Sequence, residues 1–491
     1  MTVDVLDRRS FLRVGTLGLA GAMRGRLRAQ TLDKAILSPY VADVNGDGQL
    51  DAIDKQLMQY ARFTSRGFSL EPSAGFDYRA DVLARGEVNE LSVDAVLRTI
   101  DSLGSGALVS DPRPITVAWH YGWHHRLTRA PPQQTVRYLD GDYLSNDPLV
   151  EETFNRLKNE FGITVDAVSW IPKRMDTSSL LSNYRAGYFK ASNTATRHIA
   201  LLYENTEALP GIGGRIDFRS PGIRNLLVSD FEGMARTLVE ARDVYPTRVF
   251  LLSGRPVIFI FGSHTWGLTA TDVIEFERMT STIDDARQAF KAVYGSFPYL
   301  VGEELLQMAS SEIPSADRVN RAINFDAIFS YHAANLKPTA PSFAVNPAYT
   351  DFQKVRLSQA ATAIRGLRNR FTGSNLLLIP SLAGGFAKEG MPILRTSKDA
   401  YASFMKSLVR FYADEYLPQE WPGAVGSTSI PAPVYTVGSW NEEFEGHAVF
   451  PAQFNFAFAD SRYSGFDFVL ALKEVFGWNH YAERSIGESV R

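Results

Sequence analysis

Between Ile115 and Trp440 the chain repeats one pattern eight times: a short apolar, β-rich run, then a helix-like stretch. The runs are ITVAWHYG (115–122), VDAVSWIP (165–172), HIALLYE (198–204), PVIFIFG (256–262), YLVGEEL (299–305), AIFSYHA (327–333), NLLLIPS (375–381) and VYTVGSW (434–440). A strand that is apolar along its whole length is covered on both faces, as in a parallel sheet flanked by helices. Amphipathic segments at 148–161, 229–243, 282–294, 314–323, 351–371 and 399–413 lie between the runs, and one at 465–477 follows the eighth. Eight such units in succession predict an α/β chain closed into a (β/α)8 TIM barrel. The competing arrangement is an open, doubly wound sheet, but no glycine-rich nucleotide fingerprint follows the first run.

In a barrel of this kind the chemistry gathers at the C-terminal ends of the strands. His120, Tyr121, Trp123, His124 and His125 end or follow the first run, Trp170 the second, Glu204 the third and His264 the fourth. Glu303 and Glu304 close the fifth, Tyr331 and His332 the sixth, and Trp440, Asn441 and His447 end or follow the eighth. One such histidine alone would be an ordinary capped or core residue. Only His198 and His480 of the eight histidines fall outside this rim, so the set predicts a polar pocket on one face. Its expected substrate-binding residues are His120, Tyr121, Trp123, Trp170, Glu204, His264, Tyr331, His332, Trp440, Asn441 and His447.

The eighth run leads into WNEEFEG, with carboxylates at Glu442, Glu443 and Glu445. In a fully extended strand Glu442 and Glu445 would be about 10 Å apart on opposite faces. If the chain turns at Glu442, which the nearby Gly446 would help, both can point into the pocket. A carboxylate pair is the equipment of glycoside hydrolysis. The alternative is a charged loop rim without chemistry.

The stretch SWNEEFEGHAVFP resembles the signature W-N-E-W-x-E-G-x-x-x-E-P of glycoside hydrolase family 99, whose members are endo-α-mannosidases and mannanases on (β/α)8 barrels. VAWHYGW is similar to that family's first strand, and residues 138–170 resemble its next segment, which ends in Ser-Trp. HIALLYE and PVIFIFGSHTW fit its third and fourth strands. The resemblance spans most of residues 112 to 480. It implies an endo-acting glycosidase that cleaves an α-linked, mannose-containing polysaccharide or glycan with retention. Glu445 would be the general acid that protonates the leaving oxygen. Glu442 would be the base that takes the proton from the sugar 2-hydroxyl, whose oxygen then attacks the anomeric carbon to give a 1,2-anhydro intermediate. Glu443, Phe444 and Phe450 stand where the family carries other residues, so the sugar subsites differ.

Residues 1–29 read as an address. Arg8-Arg9-x-Phe11-Leu12-Arg13 precedes an apolar, Gly/Ala-rich stretch too short for the roughly 20 residues a membrane span needs. This resembles a twin-arginine signal and predicts a periplasmic or secreted protein. DVNGDGQLDAID (43–54) has the spacing of an EF-hand loop. It places Asp43, Asn45, Asp47, Asp51 and Asp54 as side-chain ligands of a structural Ca2+, with Gln49 supplying its backbone carbonyl. DVLARGEVNELS (81–92) repeats the loop 38 residues on, but Leu83 and Arg85 replace ligands, so this copy should be empty. The pair resembles a dockerin, which implies a cohesin-like partner for residues 37–104. The other reading is a small all-α cap on the next domain, the barrel of residues 112–491.

Composition narrows the remaining classes. The absence of cysteine removes disulfides and thiol chemistry. A net charge of −3, with six arginines among the first 29 residues, leaves an acidic remainder that is ill suited to nucleic acid. Aromatics make up 12% of the chain and can pack a core or stack on sugar rings. No later segment predicts a membrane span. Two rivals stay open: a non-catalytic carbohydrate-binding barrel, and a metal-dependent barrel hydrolase, although the histidines of WHYGWHH lack the usual His-x-His spacing. A further variant pairs Glu442 with Glu303 or Glu304.

Overall fold

The computed structural model describes residues 49–50, 52, 55, 90–103, 107–108, 114–124, 136–138, 143–172, 179–194, 197–204, 211–212, 215–245, 247–267, 273–304, 316–329, 331, 362, 376–382, 385–386, 394–395, 398–410, 412, 416–417, 433–441, 452–454 and 467–476. The chain divides into two compact units, Met1–Ser110 with Tyr481–Arg491, and Asp111–His480.

The larger unit is built on eight parallel strands: β1 (Ile115–His120), β2 (Val165–Trp170), β3 (His198–Glu204), β4 (Arg255–Phe261), β5 (Tyr299–Glu303), β6 (Ala327–Phe329), β7 and β8 (Val434–Val437). β7 is split into β7a (Leu377–Leu378) and β7b (Ser381–Leu382). β7a pairs with β6 and β7b with β8, and β8 in turn pairs with β1. The switch falls at Pro380, which has no N–H to give to a ladder. Its carbonyl accepts from Thr436 N at 3.0 Å, while Ile379 N donates back to Ile328 O at 2.9 Å. The sheet therefore runs round a ring, as the eightfold pattern predicts.

The ring contacts show which side of each strand faces inward. The Trp119 ring of β1 lies 5.1 Å from Phe259 of β4 and 5.3 Å from Phe329 of β6. These strands are not neighbours of β1, so the three rings meet across the barrel interior and fill it. Each such aromatic pair adds about 0.5–1.5 kcal/mol beyond the area it buries. Register carries the assignment to other strands, because parallel partners share a face. Ala167 pairs with Trp119, Leu202 with Phe259 and Val301 with Phe259, so these positions also point inward.

Helices α1 (Pro148–Glu160), α2 (Ser179–Ala186), α3 (Pro221–Asp243), α4 (Val273–Tyr294), α5 (Ala316–Ala322), α6 (Lys398–Arg410) and α7 (Asp467–Phe476) alternate with the strands. α3 and α4 start several residues before the apolar periodicity shows them. Pro221 sits at the first turn of α3, where its fixed φ favours the helix and its missing N–H is harmless. The helix expected at 351–371 lies outside the described residues, apart from Thr362. An antiparallel ribbon, Val136–Tyr138 with Ala452–Phe454, joins the connections that follow β1 and β8.

In the smaller unit Gln49–Leu50 pairs antiparallel with Ala107–Leu108. The helix Glu90–Leu103 overlaps the end of the second loop-like stretch, with Val96, Thr99 and Ile100 buried and Asp101 accepting from Lys55 Nζ at 2.7 Å. Asp43, Asn45, Asp47, Asp51 and Asp54 lie outside the described residues, as does the signal segment. Among the described residues no helix is long and apolar enough to cross a membrane.

Candidate active site at the barrel mouth

The C-terminal mouth opens above the Trp119 plug. Tyr121, two residues beyond Trp119, places its hydroxyl against that of Tyr331, which follows β6. Tyr331 stacks on Trp119 at 5.8 Å, Phe261 meets its edge at 4.6 Å, and Trp123 lies 4.2 Å from the Tyr121 ring. The floor is therefore aromatic, bridged by two phenols in hydrogen-bond contact.

Two carboxylates share this face. Glu204 is the register partner of Phe261, so it points inward, and it accepts from Ser169 Oγ of β2. Glu303 is the partner of inward-facing Phe329 and is 3% exposed. Its Oε2 accepts from Gly262 N at 2.7 Å. Gly262 is left-handed (φ 72°), a turn glycine makes without a steric penalty, and this turn sends the chain past Glu303 into His264. His264 Nδ1 lies 3.7 Å from Glu303 Oε2. Burial works against charge on His264, but Glu303, and beyond it Glu304, outweigh this and raise its pKa. Glu304 turns the other way, into the helix layer, where Arg321 Nε donates to it at 2.9 Å. Burial pushes the Glu304 carboxyl up to about 7 even though Arg321 opposes it. Among the described residues no three metal-ligating side chains converge.

The end of β8 is tied to β7b and to the end of β1. Gly438 N donates to Leu382 O of β7b at 2.8 Å and Trp440 N to Trp119 O of β1 at 2.7 Å. Asn441 then continues the pairing with its side chain. Its Oδ1 accepts from Tyr121 N at 2.8 Å, and its Nδ2 donates to Tyr121 O and to Tyr143 Oη, each at 2.9 Å. An amide nitrogen has two hydrogens, and both are engaged here. Asn441 is thus no sugar-binding donor, contrary to the sequence expectation.

Three more expected contacts are corrected because their side chains fall on the outer face of the sheet. His120 neighbours inward-facing Trp119 and so points outward. It is fully buried, with Nδ1 3.0 Å from Lys158 Nζ and Nε2 3.3 Å from Glu151 Oε2 of α1. The same cluster holds Asp166, which accepts from Lys158 at 2.9 Å, from Arg197 Nε at 3.0 Å and from Tyr188 Oη at 2.8 Å. Burial alone would raise the Asp166 pKa, but Arg197 and Lys158 hold it far below the usual carboxylate range. Burial lowers the Lys158 pKa against the pull of Asp166. Trp170 donates from Nε1 to Thr237 Oγ1 of α3 at 3.2 Å and packs where Gly233 has no Cβ, since a Cβ there would come within 2.9 Å of the ring. Trp440 sets its ring edge-on to Phe154 of α1 at 5.6 Å, with Lys158 Nζ 5.4 Å from its centre.

The mouth therefore brings together Tyr121, Trp123, Glu204, His264 and Tyr331 of the expected set, and adds Ser169 and Trp119. Strand parity sets Ser169 and Trp170 on opposite faces, and the contacts of Trp119 across the barrel decide that Ser169 is the inward one. His332, His447, Glu442 and Glu445 lie outside the described residues, which beyond β8 reach Asn441.

No protein-family profile matches the chain, and no curated protein sequence matches it. Among solved structures it is similar to a GH99 endo-alpha-mannosidase from Bacteroides thetaiotaomicron, with 13% identity and a TM-score of 0.46 over 77% of this chain and 98% of that one. It is similar to a glycoside hydrolase-like protein at 14% identity and a TM-score of 0.48, over 75% of this chain and 95% of that one. A family 39 glycoside hydrolase from Bacteroides cellulosilyticus aligns at 10% identity with a TM-score of 0.35, over 70% of this chain and 62% of that one. At this distance the chemistry has to come from the side chains of this chain.

Proposed function

We propose that the barrel is a glycoside hydrolase that cleaves an α-linked glycan with net retention, using Glu442 as base and Glu445 as acid. The observation that carries this reading is the fastening of Asn441 to Tyr121 at the rim of the mouth. Glu442 follows Asn441 directly in sequence, and Asn441 borders the aromatic cluster of Tyr121, Tyr331 and Trp123. Such a floor suits a sugar, which presents an apolar ring face and several hydroxyls. Inward-facing Glu204 and Glu303 add acceptors for those hydroxyls.

Two carboxylates suffice for the reaction. Glu442 draws the proton from the 2-hydroxyl, and that oxygen attacks the anomeric carbon. Glu445 gives its proton to the departing glycosidic oxygen. Water then opens the 1,2-anhydro sugar as both proton transfers reverse, and the original anomeric configuration returns. A mannose-containing glycan is the substrate that the WNEEFEG resemblance favours, with cleavage inside the chain.

A second reading keeps hydrolysis but pairs Glu442 with Glu303, whose inward carboxylate is already held by Gly262 N. The variants Glu442→Gln, Glu445→Gln and Glu303→Gln separate the two. Under the first reading Glu442→Gln and Glu445→Gln each lose about 10²–10⁴-fold in turnover of α-mannan and still bind oligosaccharide. Full activity of either variant would end that residue's assignment. A loss of that size in Glu303→Gln, with Glu445→Gln active, would favour the second reading.

The remaining parts of the proposal rest on sequence: export by the twin-arginine route to the periplasm or beyond, one structural Ca2+ in residues 43–54, and a dockerin-like segment whose partner would be cohesin-like.

A further inference from the structure

We infer that His124, acting with Asn441, is a positioning residue that fixes the direction in which the chain leaves β8. The inference rests on the reading of Glu442 given above. The C=O of Asn441 belongs to the peptide that joins it to Glu442, and this carbonyl faces His124 Nε2 at 3.3 Å. A carbonyl only accepts, so Nε2 carries the proton. With the Asn441 side chain fixed at three points, this contact sets the rotation of the peptide plane leading into Glu442.

His124 is itself anchored. Its N–H donates to Ser145 Oγ at 3.2 Å, and Ser145 N donates to His124 O at 2.6 Å. The Tyr143 ring packs on the imidazole at 4.7 Å, and the Tyr143 hydroxyl is the acceptor for Asn441 Nδ2. His124, Tyr143 and Asn441 thus close a circuit in which each part holds the next. His124 and Asn441 are both buried, and the circuit lies between the end of β1 and the end of β8. The imidazole supplies a donor aimed at the Asn441 carbonyl.

His124→Phe keeps the ring and removes that donor. His124→Gln returns an N–H donor at similar reach. Two measurements on the full-length protein test the clamp. In hydrogen exchange, His124→Phe should speed the amides of Gly438 and Trp440, which donate to Leu382 O and Trp119 O, by at least about fivefold, the change a lost hydrogen bond sets. Peptides covering β5 should be unchanged, and His124→Gln should restore most of the protection. In turnover of α-mannan, His124→Phe should lower kcat by about 10–10²-fold with KM nearly constant, the mark of a displaced reacting group. His124→Gln should again recover most of it.

Unchanged exchange in His124→Phe overturns the clamp. Faster exchange with unchanged kcat overturns the positioning role. If Glu442→Gln is itself fully active, the reading of Glu442 fails while the exchange result still judges the clamp. Should His124→Phe fail to fold, Tyr143→Phe, which deletes only the hydroxyl at Asn441, undergoes the same exchange test.

Discussion

Replacing Asp166 by Asn should destabilise the barrel by about 3–5 kcal/mol, the usual cost of removing one member of a buried ion pair. Asp166 accepts four hydrogen bonds: Arg197 Nε (3.0 Å) and Tyr188 Oη (2.8 Å) at Oδ2, and Arg197 Nη2 (3.1 Å) and Lys158 Nζ (2.9 Å) at Oδ1. Asparagine keeps one acceptor oxygen and turns two N–H groups toward donors. At least two charge-assisted bonds are lost, each worth about 1.5–3 kcal/mol. The charges then fail to balance. Glu151 and Asp166 offset Lys158 and Arg197 in the wild type, and all four side chains are buried. The variant leaves one cation in excess. Against a typical total of about 5–15 kcal/mol, this removes a large share of the stability. Thermal unfolding followed by circular dichroism should shift down by about 5–10 °C, since a large domain loses roughly 2 °C per kcal/mol. Adding Lys158→Met removes the excess cation, so the double variant should be more stable than Asp166→Asn alone. The sign with pH follows from the depressed carboxyl pKa. The stabilisation is complete above the unfolded value of about 3.9 and is lost as the pH falls toward the folded one, so the two proteins should converge in acid. A melting temperature within a degree of wild type, or no recovery in the double variant, would refute the charge argument.

The stereochemical claim is separate from the identity of the carboxylates. Proton NMR of the first-formed sugar should show the substrate's own anomeric configuration, and an inverted product would remove the anhydro-sugar route while leaving a glycosidase. Calorimetric titration of the chelated protein with Ca2+ should give one site, in the loop Asp43–Asp54, because Arg85 occupies a ligand position of the second copy. Two sites, or none, would refute that assignment. Asp43→Ala and Asp47→Ala should lower thermal stability more than turnover. Changing Arg8 and Arg9 together to lysine should block export of a fusion reporter, and unchanged export would end the twin-arginine reading.

The eight strands stood in the sequence because each is a mostly apolar, β-rich run. That property reports burial on both faces, and burial on both faces identifies a parallel sheet under helices. The same property hides which face is which. VDAVSW shows no alternation, so nothing local reveals that Ser169 looks into the barrel while Asp166 and Trp170 look out. Adjacent residues in a strand always oppose one another, and only the phase is missing. The tertiary structure supplies it through Trp119, whose ring reaches strands that are not its neighbours. From that contact His120 is assigned to the charge cluster behind the sheet, and Tyr121 and Tyr331 to the mouth. Asn441 needed the fold for a different reason. Its residue type suited a sugar contact, but its partners are Tyr121 and Tyr143, some three hundred residues earlier in the chain. The barrel alone brings the ends of β1 and β8 side by side, and a hydrogen-bonding side chain takes its role from whatever the fold places within 3 Å of it.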